Sequence, residues 1–436
     1  MELKRWRQFD FVMVLAVLAL VAYGVGMIHS ATCSPSCTSF LPPSSWAARQ
    51  VMYAVAGLGL LVGLTLVDYR VYRGLAYPSF ALSLGCLALV LVLGRGHEEW
   101  GARRWIQFGF FDFQPSEVTK VAMILALARW LGVDAAERPG LRRVLGSVGF
   151  VLAPVVLIYL QPDLGTAIAY VVIWFGMLVA ARVRLLYLGG LSLAGLASAP
   201  LGWLLLRDYM RQRILTFFAT TMDPESDIFG EGYNILQARI SIGSGGMFGW
   251  GLGLAGLASA PVGWLVLRDY MRQRILTFFA TTMDPESDIF GEGYNILQAR
   301  ISIGSGGMFG RGYAQGTQNQ FEYLRVKHSD FIFSVLAEEM GFIGAMVLFG
   351  LFILLLFRIV RAAEHAPDSF GRLVIFGIGC MLFFQVVVNL GANLTVLPVT
   401  GIPLPLVSFG GSALLANFIA LGVVQSILVR RLKYRF

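Results

Sequence analysis

Charged residues are scarce in this chain. Asp, Glu, Lys and Arg make up 14% of its 436 residues, about half of the roughly 25% that soluble domains carry. Hydrophobic residues make up 57% and the mean hydropathy is +0.70, which excludes a disordered chain and an ordinary soluble enzyme. The apolar runs are long and unbroken rather than alternating, which favours helices over a β-barrel. We therefore expect an all-α, polytopic membrane protein with about ten transmembrane helices.

The signatures of several enzyme classes are missing. The sequence has no G-x-x-x-x-G-K-[ST], no H-E-x-x-H, no G-x-S-x-G and no Cys/His zinc spacing. A P-loop pump, a metalloprotease and a serine hydrolase therefore have no sequence support. The net charge of +8 needs no nucleic-acid partner, because the cytoplasmic loops of membrane proteins are rich in Lys and Arg.

Cysteine is also scarce, since four residues are too few for a disulfide scaffold. Cys86 and Cys380 lie in apolar runs, where we expect them to be inert. Cys33 and Cys37 lie in a polar loop, and both a disulfide and free thiols are compatible with the sequence.

Ten apolar runs are candidates to cross a bilayer, which takes about 20 residues for a helix. They are Phe9–Ile28, Trp46–Val67, Gly74–Leu93, Val118–Leu131, Leu145–Leu160, Leu164–Ala181, Leu185–Leu206, Phe331–Phe357, Leu373–Leu390 and Ser412–Val429. The basic residues Lys4, Arg5 and Arg7 precede the first run without an A-x-A site, which predicts an anchor rather than a cleaved signal.

Basic loops set the predicted orientation. Arginine-rich segments lie on the same side of the bilayer as the N-terminus, at 70–73, 138–143, 182–184, 358–361 and 430–435. The positive-inside rule therefore predicts that both termini are cytoplasmic. The opposite, extracytoplasmic face receives a large loop, 207–330, between helices 7 and 8, and a Pro-rich segment between helices 9 and 10.

A near-identical repeat lies within the predicted single membrane domain, 1–436. Residues 191–249 recur as 252–310 with only three substitutions: Ser192/Gly253, Leu201/Val262 and Leu205/Val266. Structural repeats diverge far more than this, so the repeat is interpreted as a recent tandem duplication or an error in the gene model. The second copy runs directly into the next distinctive segment, which favours it as the working copy. We expect Leu252–Leu267 to lie at the membrane interface, to form a hairpin or to be disordered.

Ionisable residues occur at membrane depth, where each costs at least about 2.5–3.5 kcal/mol. Glu117 and Lys120 are three residues apart, so they share one helix face, and Pro115 is suited to the first position of that helix. Asp163 follows a Gln-Pro turn and is suited to cap the next helix. A capped helix with a local ion pair would explain Glu117 in a first turn. It would not explain why Lys120 lies one turn inside a membrane span.

Further acidic residues mark the eighth predicted span. Ser329 or Asp330 could be no more than its N-cap, which is an alternative to a catalytic role. Glu338 and Glu339 follow two turns later. These two glutamates must face a cavity or a partner.

Two irregular segments complete the pattern. Glycines recur at 291–316, and their backbone N–H groups could converge on an anion, although most such loops are ordinary turns. Three prolines at 398–405 exclude a helix and predict a re-entrant loop covering a cavity. Together the clusters indicate a site for an amphiphile with an anionic head.

The motifs resemble the SEDS (shape, elongation, division and sporulation) family. They are FQPSE (113–117), QPDLGTA (161–167), GYNILQ (293–298), IGSGG (303–307), GTQ (316–318), HSDFIF (328–333), AEEMG (337–341) and PLPLVSFGGSA (403–413). MDPESD (283–288) and the short basic tail are most similar to the family's elongation members. The chain departs from the family at Leu324–His328, which lacks the usual LPE, and at Ser329, where the family has Thr.

The resemblance implies peptidoglycan glycosyltransfer, in which lipid II is polymerised into glycan strands at the outer face of the membrane. The family's essential aspartate matches Asp330, which would be the general base. Its other polar positions imply a substrate-binding set: Arg104, Glu117, Lys120, Asp163, Gln298, Ser305, Thr317 and His328. Arg104 and Lys120 would offset the charge of the leaving undecaprenyl pyrophosphate, and Glu117 would orient Lys120 or help to hold a divalent cation, Mg or Mn.

The resemblance also implies partners: a class B penicillin-binding protein (a transpeptidase), the elongation machinery and membrane lipid. Two alternatives to a polymerase remain at this stage, a lipid II flippase and a non-catalytic scaffold for the transpeptidase. A flippase should carry polar residues through its full depth and on both faces, whereas here they gather on the predicted outer face.

Overall fold

The computed structural model describes residues 8–32, 45–94, 104–108, 111–132, 139–161, 163–205, 302–316, 328–394, 396–397 and 400–430. The described chain is mostly helical. Its long helices are α1 (Phe11–Thr32), α2 (Trp46–Leu66), α3 (Tyr69–Leu93), α4 (Pro115–Leu131), α5 (Leu141–Leu160), α6 (Leu164–Ala180), α7 (Leu185–Leu205), α8 (Ile332–Glu364), α9 (Ser369–Asn393) and α10 (Gly411–Val429). A small antiparallel hairpin, β1 (Ile106–Phe108) and β2 (Phe111–Phe113), precedes α4.

Each predicted apolar run coincides with one of these helices. Among the described residues, seven helices are long and apolar enough to cross a membrane: α1, α2, α3, α5, α8, α9 and α10. This confirms a polytopic helical membrane protein. The α6 helix is apolar but shorter, and α4 has 17 residues that include Glu117, Lys120 and Arg129.

Several helices extend beyond their apolar runs because polar residues cap or continue them. Asp68 accepts a hydrogen bond from the Arg70 amide at 3.0 Å, so α3 begins at Tyr69 rather than at the predicted Gly74. The Asp368 carboxylate accepts from the Gly371 amide at 2.8 Å and starts α9. Hydropathy detects only the apolar part of such helices.

The α4 helix lies at the centre of the bundle. It packs against α3, α5, α6, α9 and α10, and its residues from Pro115 to Ala128 are buried except Val118. The other helices carry exposed apolar side chains, including Val55 on α2, Leu82 on α3 and Leu152 on α5. Apolar residues that face outward in this way are expected of a surface in contact with lipid.

The α8 helix is broken at Gly341, where φ is +65°. The glycine-rich segment 302–316, whose first part is the end of the second repeat copy, bonds to the backbone groups that the break exposes. The Phe342 amide donates to the Gly307 carbonyl at 2.9 Å, and the Gly312 amide donates to the Glu339 carbonyl at 3.0 Å. A kink in a helix is tolerated where other groups satisfy the freed backbone in this way.

Candidate active site

The acidic and basic residues of α4 form a buried ion pair in its first two turns. The Lys120 Nζ donates to the Glu117 Oε1 at 2.8 Å. Glu117 is 4% exposed and Lys120 2% exposed. The i, i+3 spacing therefore predicted this contact correctly, and the pair is enclosed by protein.

A second ion pair lies at the start of α6. Asp163 caps this helix, as predicted, because its Oδ1 accepts from the Thr166 amide at 3.2 Å and its Oδ2 from the Thr166 hydroxyl at 2.9 Å. The Arg104 Nη1 lies 3.7 Å from the Asp163 Oδ2, and its Nε donates to the Gln161 carbonyl at 3.2 Å. The Arg104 side chain is 20% exposed, so its charge is accessible from outside the bundle.

Tyr170 links the two ion pairs. Its buried hydroxyl donates to the Ser116 carbonyl at 2.8 Å, and both Glu117 and Asp163 lie close enough to interact with it electrostatically. The four residues Arg104, Glu117, Lys120 and Asp163 are therefore brought to one corner of the bundle. Sequence reasoning missed Tyr170 because a tyrosine in an apolar helix has the pattern of an ordinary core residue.

Asp330 lies in the turn that leads into α8. The structural alternative, in which Ser329 or Asp330 only caps this helix, does not hold: the N-cap is Phe331, with no side-chain hydrogen bond. The Ser329 hydroxyl instead donates to the Asp330 Oδ1 at 2.9 Å. The Asp330 backbone carbonyl accepts hydrogen bonds from the side-chain amide groups of Asn389, at 3.2 Å, and Asn393, at 2.9 Å. Side chains of α9 therefore hold this turn in place, and no side-chain N-cap hydrogen bond is needed to do so.

The Pro-rich segment 400–410 holds the other side of this turn. The Ser408 hydroxyl donates to the Ser329 carbonyl at 2.6 Å and accepts from the Leu404 amide at 2.9 Å. The Phe409 amide donates to the His328 carbonyl at 3.0 Å. Leu406 is buried with φ at +66°, a strained conformation for a residue other than glycine, and such strain persists only where the surroundings enforce it.

The same segment reaches the first cluster. Gly165, in the first turn of α6, lies against the Thr400 carbonyl. The Ser412 hydroxyl, at the start of α10, donates to the Asp112 carbonyl at 2.7 Å and accepts from the Gln114 amide at 2.9 Å. The Pro-rich segment and the start of α10 therefore bridge the Asp330 turn and the two ion pairs, and both groups lie at the same end of the bundle.

Aromatic side chains surround His328. Its ring stacks on Trp46, at the start of α2, with centroids 5.0 Å apart, and meets Phe409 edge-on at 5.8 Å. The Arg49 guanidinium lies 5.5 Å from the Trp46 ring centre. Trp46 and Arg49 are further residues that sequence reasoning missed, because Trp at a membrane interface is common.

The other predicted binding residues are not all placed at this site. The Ser305 hydroxyl donates to the Ser302 carbonyl at 3.0 Å, within the glycine-rich segment. Gln298 and Thr317 lie outside the described residues, as do Cys33 and Cys37.

Glu338 and Glu339 lie in the first part of α8, and Glu339 links the glycine-rich segment to α1. Both are fully buried, as expected of groups that need a protein partner. The Glu339 Oε2 accepts from the Ser30 hydroxyl at 2.5 Å and from the Ala314 amide at 3.2 Å. Burial, and then the Glu339 charge, raise the pKa of Tyr313 above its ordinary value. The protonated Tyr313 hydroxyl donates to the Gly26 carbonyl at 3.0 Å.

A site for a divalent cation is not formed by these side chains alone. No cluster of three or more His, Cys, Asp or Glu that could hold a metal occurs within the described ranges. The Glu117 carboxylate is engaged by Lys120 instead.

Nearly the whole chain matches one family of proteins. The family model for FtsW, RodA and SpoVE, described as "Cell cycle protein", matches residues 11–258 and 254–433. The chain belongs to this family. The two matched segments of this SEDS-family chain overlap at residues 254–258, near the beginning of the second repeat copy.

Curated relatives and solved structures of the family match nearly the full length. The Escherichia coli (strain K12) "Peptidoglycan glycosyltransferase MrdB" is 34% identical, with 97% of this chain and 94% of that protein covered. The Treponema pallidum (strain Nichols) "Peptidoglycan glycosyltransferase RodA" is 32% identical, with coverage of 99% and 100%. The Thermus thermophilus RodA crystal structure is 29% identical with a TM-score of 0.61, covering 98% of each chain.

A further solved chain belongs to a peptidoglycan synthase complex that coordinates polymerisation and crosslinking. It is 29% identical to this SEDS-family chain, with a TM-score of 0.64 and coverage of 98% and 99%. The fold described above is therefore the fold of the family.

Proposed function

We propose that this protein is a peptidoglycan glycosyltransferase that polymerises lipid II into glycan strands during cell elongation. Two relatives are named peptidoglycan glycosyltransferases, and this chain matches them over nearly their whole length. The observation that carries the proposal is the convergence of Asp330, the two ion pairs and the Pro-rich segment at one end of a membrane bundle.

The proposed topology has all ten helices crossing the bacterial cytoplasmic membrane, with both termini cytoplasmic and the site end extracytoplasmic. Arg358 and Arg430 lie at the opposite end of α8 and α10 from the site. The positive-inside rule favours that opposite end as cytoplasmic. In this arrangement 207–330 is the large extracytoplasmic loop and 400–410 is re-entrant.

Asp330 is the proposed general base. The carboxylate would take the proton of the acceptor sugar hydroxyl as that oxygen attacks the anomeric carbon of the donor, and the bond from this carbon to the pyrophosphate oxygen would break in the same displacement, with inversion. The Ser329 hydroxyl and the two asparagines of α9 restrict the Asp330 turn. A base held in place in this way loses little entropy when it reacts.

Arg104 is the better placed of the two proposed phosphate-binding cations. It is partly exposed beside Asp163, whereas Lys120 is buried against Glu117. We infer that Arg104 contacts the leaving undecaprenyl pyrophosphate and that Lys120 sets the positive potential beneath it. The remaining proposed substrate contacts are Gln298, Ser305, Thr317 and His328.

A class B penicillin-binding protein is the proposed partner, together with the elongation machinery. The similar solved chain works in a complex that joins polymerisation to crosslinking. A transpeptidase would supply the crosslinking here, since this chain is proposed to supply only the polymerisation.

The direct test incubates the purified chain with lipid II and separates the products by gel electrophoresis. Glycan ladders without any added polymerase support the enzyme. If no glycan forms but the chain transports lipid II across vesicle membranes, the result favours a flippase. If neither glycan synthesis nor lipid II transport is detected, the result favours a scaffold. A version lacking 250–310 should retain the activity, because residues 241–249 of the first copy have the same sequence as 302–310 and would then lead directly into Arg311.

A further inference from the structure

A cavity of about 290 Å³ lies at the opposite end of the bundle from the candidate active site. It opens between the start of α1 and the ends of α8 and α10, and its walls are Gln8, Phe9, Asp10, Arg358, Arg361, Ala362, His365 and Leu428. At about 30 Å³ for each water molecule, its volume corresponds to roughly ten waters. The cavity therefore has room for a hydrated phosphate group.

One wall of the cavity is a rigid polar network. The Arg358 Nε lies 2.8 Å and 3.1 Å from the two Asp10 carboxylate oxygens, and its Nη2 lies 2.7 Å from Oδ2. The Gln425 side chain accepts from the Asp10 amide at 3.1 Å and donates to the Asp10 carbonyl at 3.0 Å. The Asp10 charge is thus balanced by Arg358, and both groups are held before any ligand arrives.

The charge that remains in the cavity is positive. Arg361 follows Arg358 by three residues and His365 follows Arg361 by four, so the three side chains lie along one face at the end of α8. Both Arg361 and His365 are exposed. An arginine guanidinium presents a planar set of donors that matches a phosphate.

The surface beside the cavity is apolar. Phe11, at the start of α1, is 64% exposed, and Phe357, one residue before Arg358, is 59% exposed. Leu15 and Ile353 continue the two apolar faces toward the middle of the bundle, one turn further along each helix, and are exposed as well. A charged cavity next to such faces matches an amphiphile with a phosphate head and acyl chains.

We propose that this cavity binds the headgroup of an anionic phospholipid at the membrane surface opposite the active site. The phosphate contacts Arg361, and the acyl chains lie along the exposed faces of α1 and α8. Basic pockets between helices are a common form of lipid headgroup site. The proposal does not depend on the reaction at the other end of the bundle.

The test measures binding of phosphatidylglycerol to the purified full-length chain by native mass spectrometry, with phosphatidylcholine as the zwitterionic comparison. Arg361→Gln should weaken binding of phosphatidylglycerol about fivefold, the change expected for one basic residue near an anionic lipid. Arg361→Lys should retain most of the binding. Arg142→Gln is the matched control, because Arg142 is an exposed arginine on α5 that does not line the cavity.

Three results would overturn the proposal. Equal effects of Arg361→Gln and Arg142→Gln would mean diffuse attraction to the basic end of the bundle. Equal binding of phosphatidylcholine would remove the preference for an anionic lipid. Displacement of bound phosphatidylglycerol by millimolar inorganic phosphate would identify a free anion, rather than a lipid, as the ligand. Arg361 is exposed, so an unchanged unfolding temperature is expected for its variants.

Discussion

The buried pair of Glu117 and Lys120 gives a sharp test of how the site is built. Replacing Lys120 by Met leaves the Glu117 carboxylate enclosed without its partner, and replacing Glu117 by Gln leaves the Lys120 ammonium in the same position. Both groups are within the protein rather than at its surface, and they are 2.8 Å apart. Each single substitution therefore isolates a buried charge.

The expected magnitudes follow from this burial. Breaking a buried pair costs about 3–5 kcal/mol, whereas replacing both charged groups by uncharged ones is close to neutral. Each single variant should therefore be less stable than the double variant Glu117→Gln/Lys120→Met. For a chain of this length, the loss of about 3–5 kcal/mol in each single variant corresponds to a drop in Tm of roughly 3–6 °C.

The assay is thermal unfolding in detergent, combined with glycan synthesis from lipid II well below the unfolding temperature. All three variants should lose glycan synthesis. Lys120→Met and the double variant lack the positive charge of Lys120, and in Glu117→Gln the Lys120 side chain loses the carboxylate that orients it. Additive losses of stability would show that the two charges do not interact. A double variant that still makes glycan would show that the pair serves folding alone.

Two further substitutions test the contacts that join the two halves of the site. Gly165→Ala places a Cβ 2.5 Å from the Thr400 carbonyl oxygen, which should destabilise the protein by about 1–3 kcal/mol and slow synthesis, as measured by unfolding and by lipid II turnover. The control Gly149→Ala has open space around its Cβ and should stabilise α5 slightly, as a helical Gly→Ala change does. An equal loss in both variants would contradict the close packing at Thr400. Ser408→Ala removes the hydrogen bond to the Ser329 carbonyl and should lower the free energy of unfolding by about 0.5–1.5 kcal/mol. Lipid II turnover, measured well below the unfolding temperature, should also fall. Turnover at the full rate would show that this bond does not position the Asp330 turn.

Local features of the fold and site were predictable from the sequence. Long apolar runs identify the helices, Asp163 is recognisable as a cap, and the Glu117–Lys120 pair follows from residues one turn apart on the same helix. Each of these depends on neighbours in the chain, and spacing alone encodes them.

Contacts between distant segments were not predictable. The sequence shows that Asn389 and Asn393 are unusual in an apolar span, but not that both bind the carbonyl of Asp330. It shows a serine and an aspartate before α8, and the simplest local explanation, an N-cap, is wrong because α9 and the Pro-rich segment determine that turn. The role of Tyr170 is hidden for the same reason, since its partner Ser116 lies on another helix.

The most direct test of the account is the rate of glycan synthesis by Asp330→Asn. The substitution keeps the size of the side chain and its ability to accept from Ser329, but it removes the base. General-base catalysis contributes about 10²–10⁴-fold, so the variant should polymerise lipid II at least about 100-fold more slowly, with an unchanged unfolding temperature. Glu364→Gln, which removes an exposed carboxylate at the far end of the same helix, should keep the full rate. A rate for Asp330→Asn within tenfold of the unsubstituted protein would contradict the account.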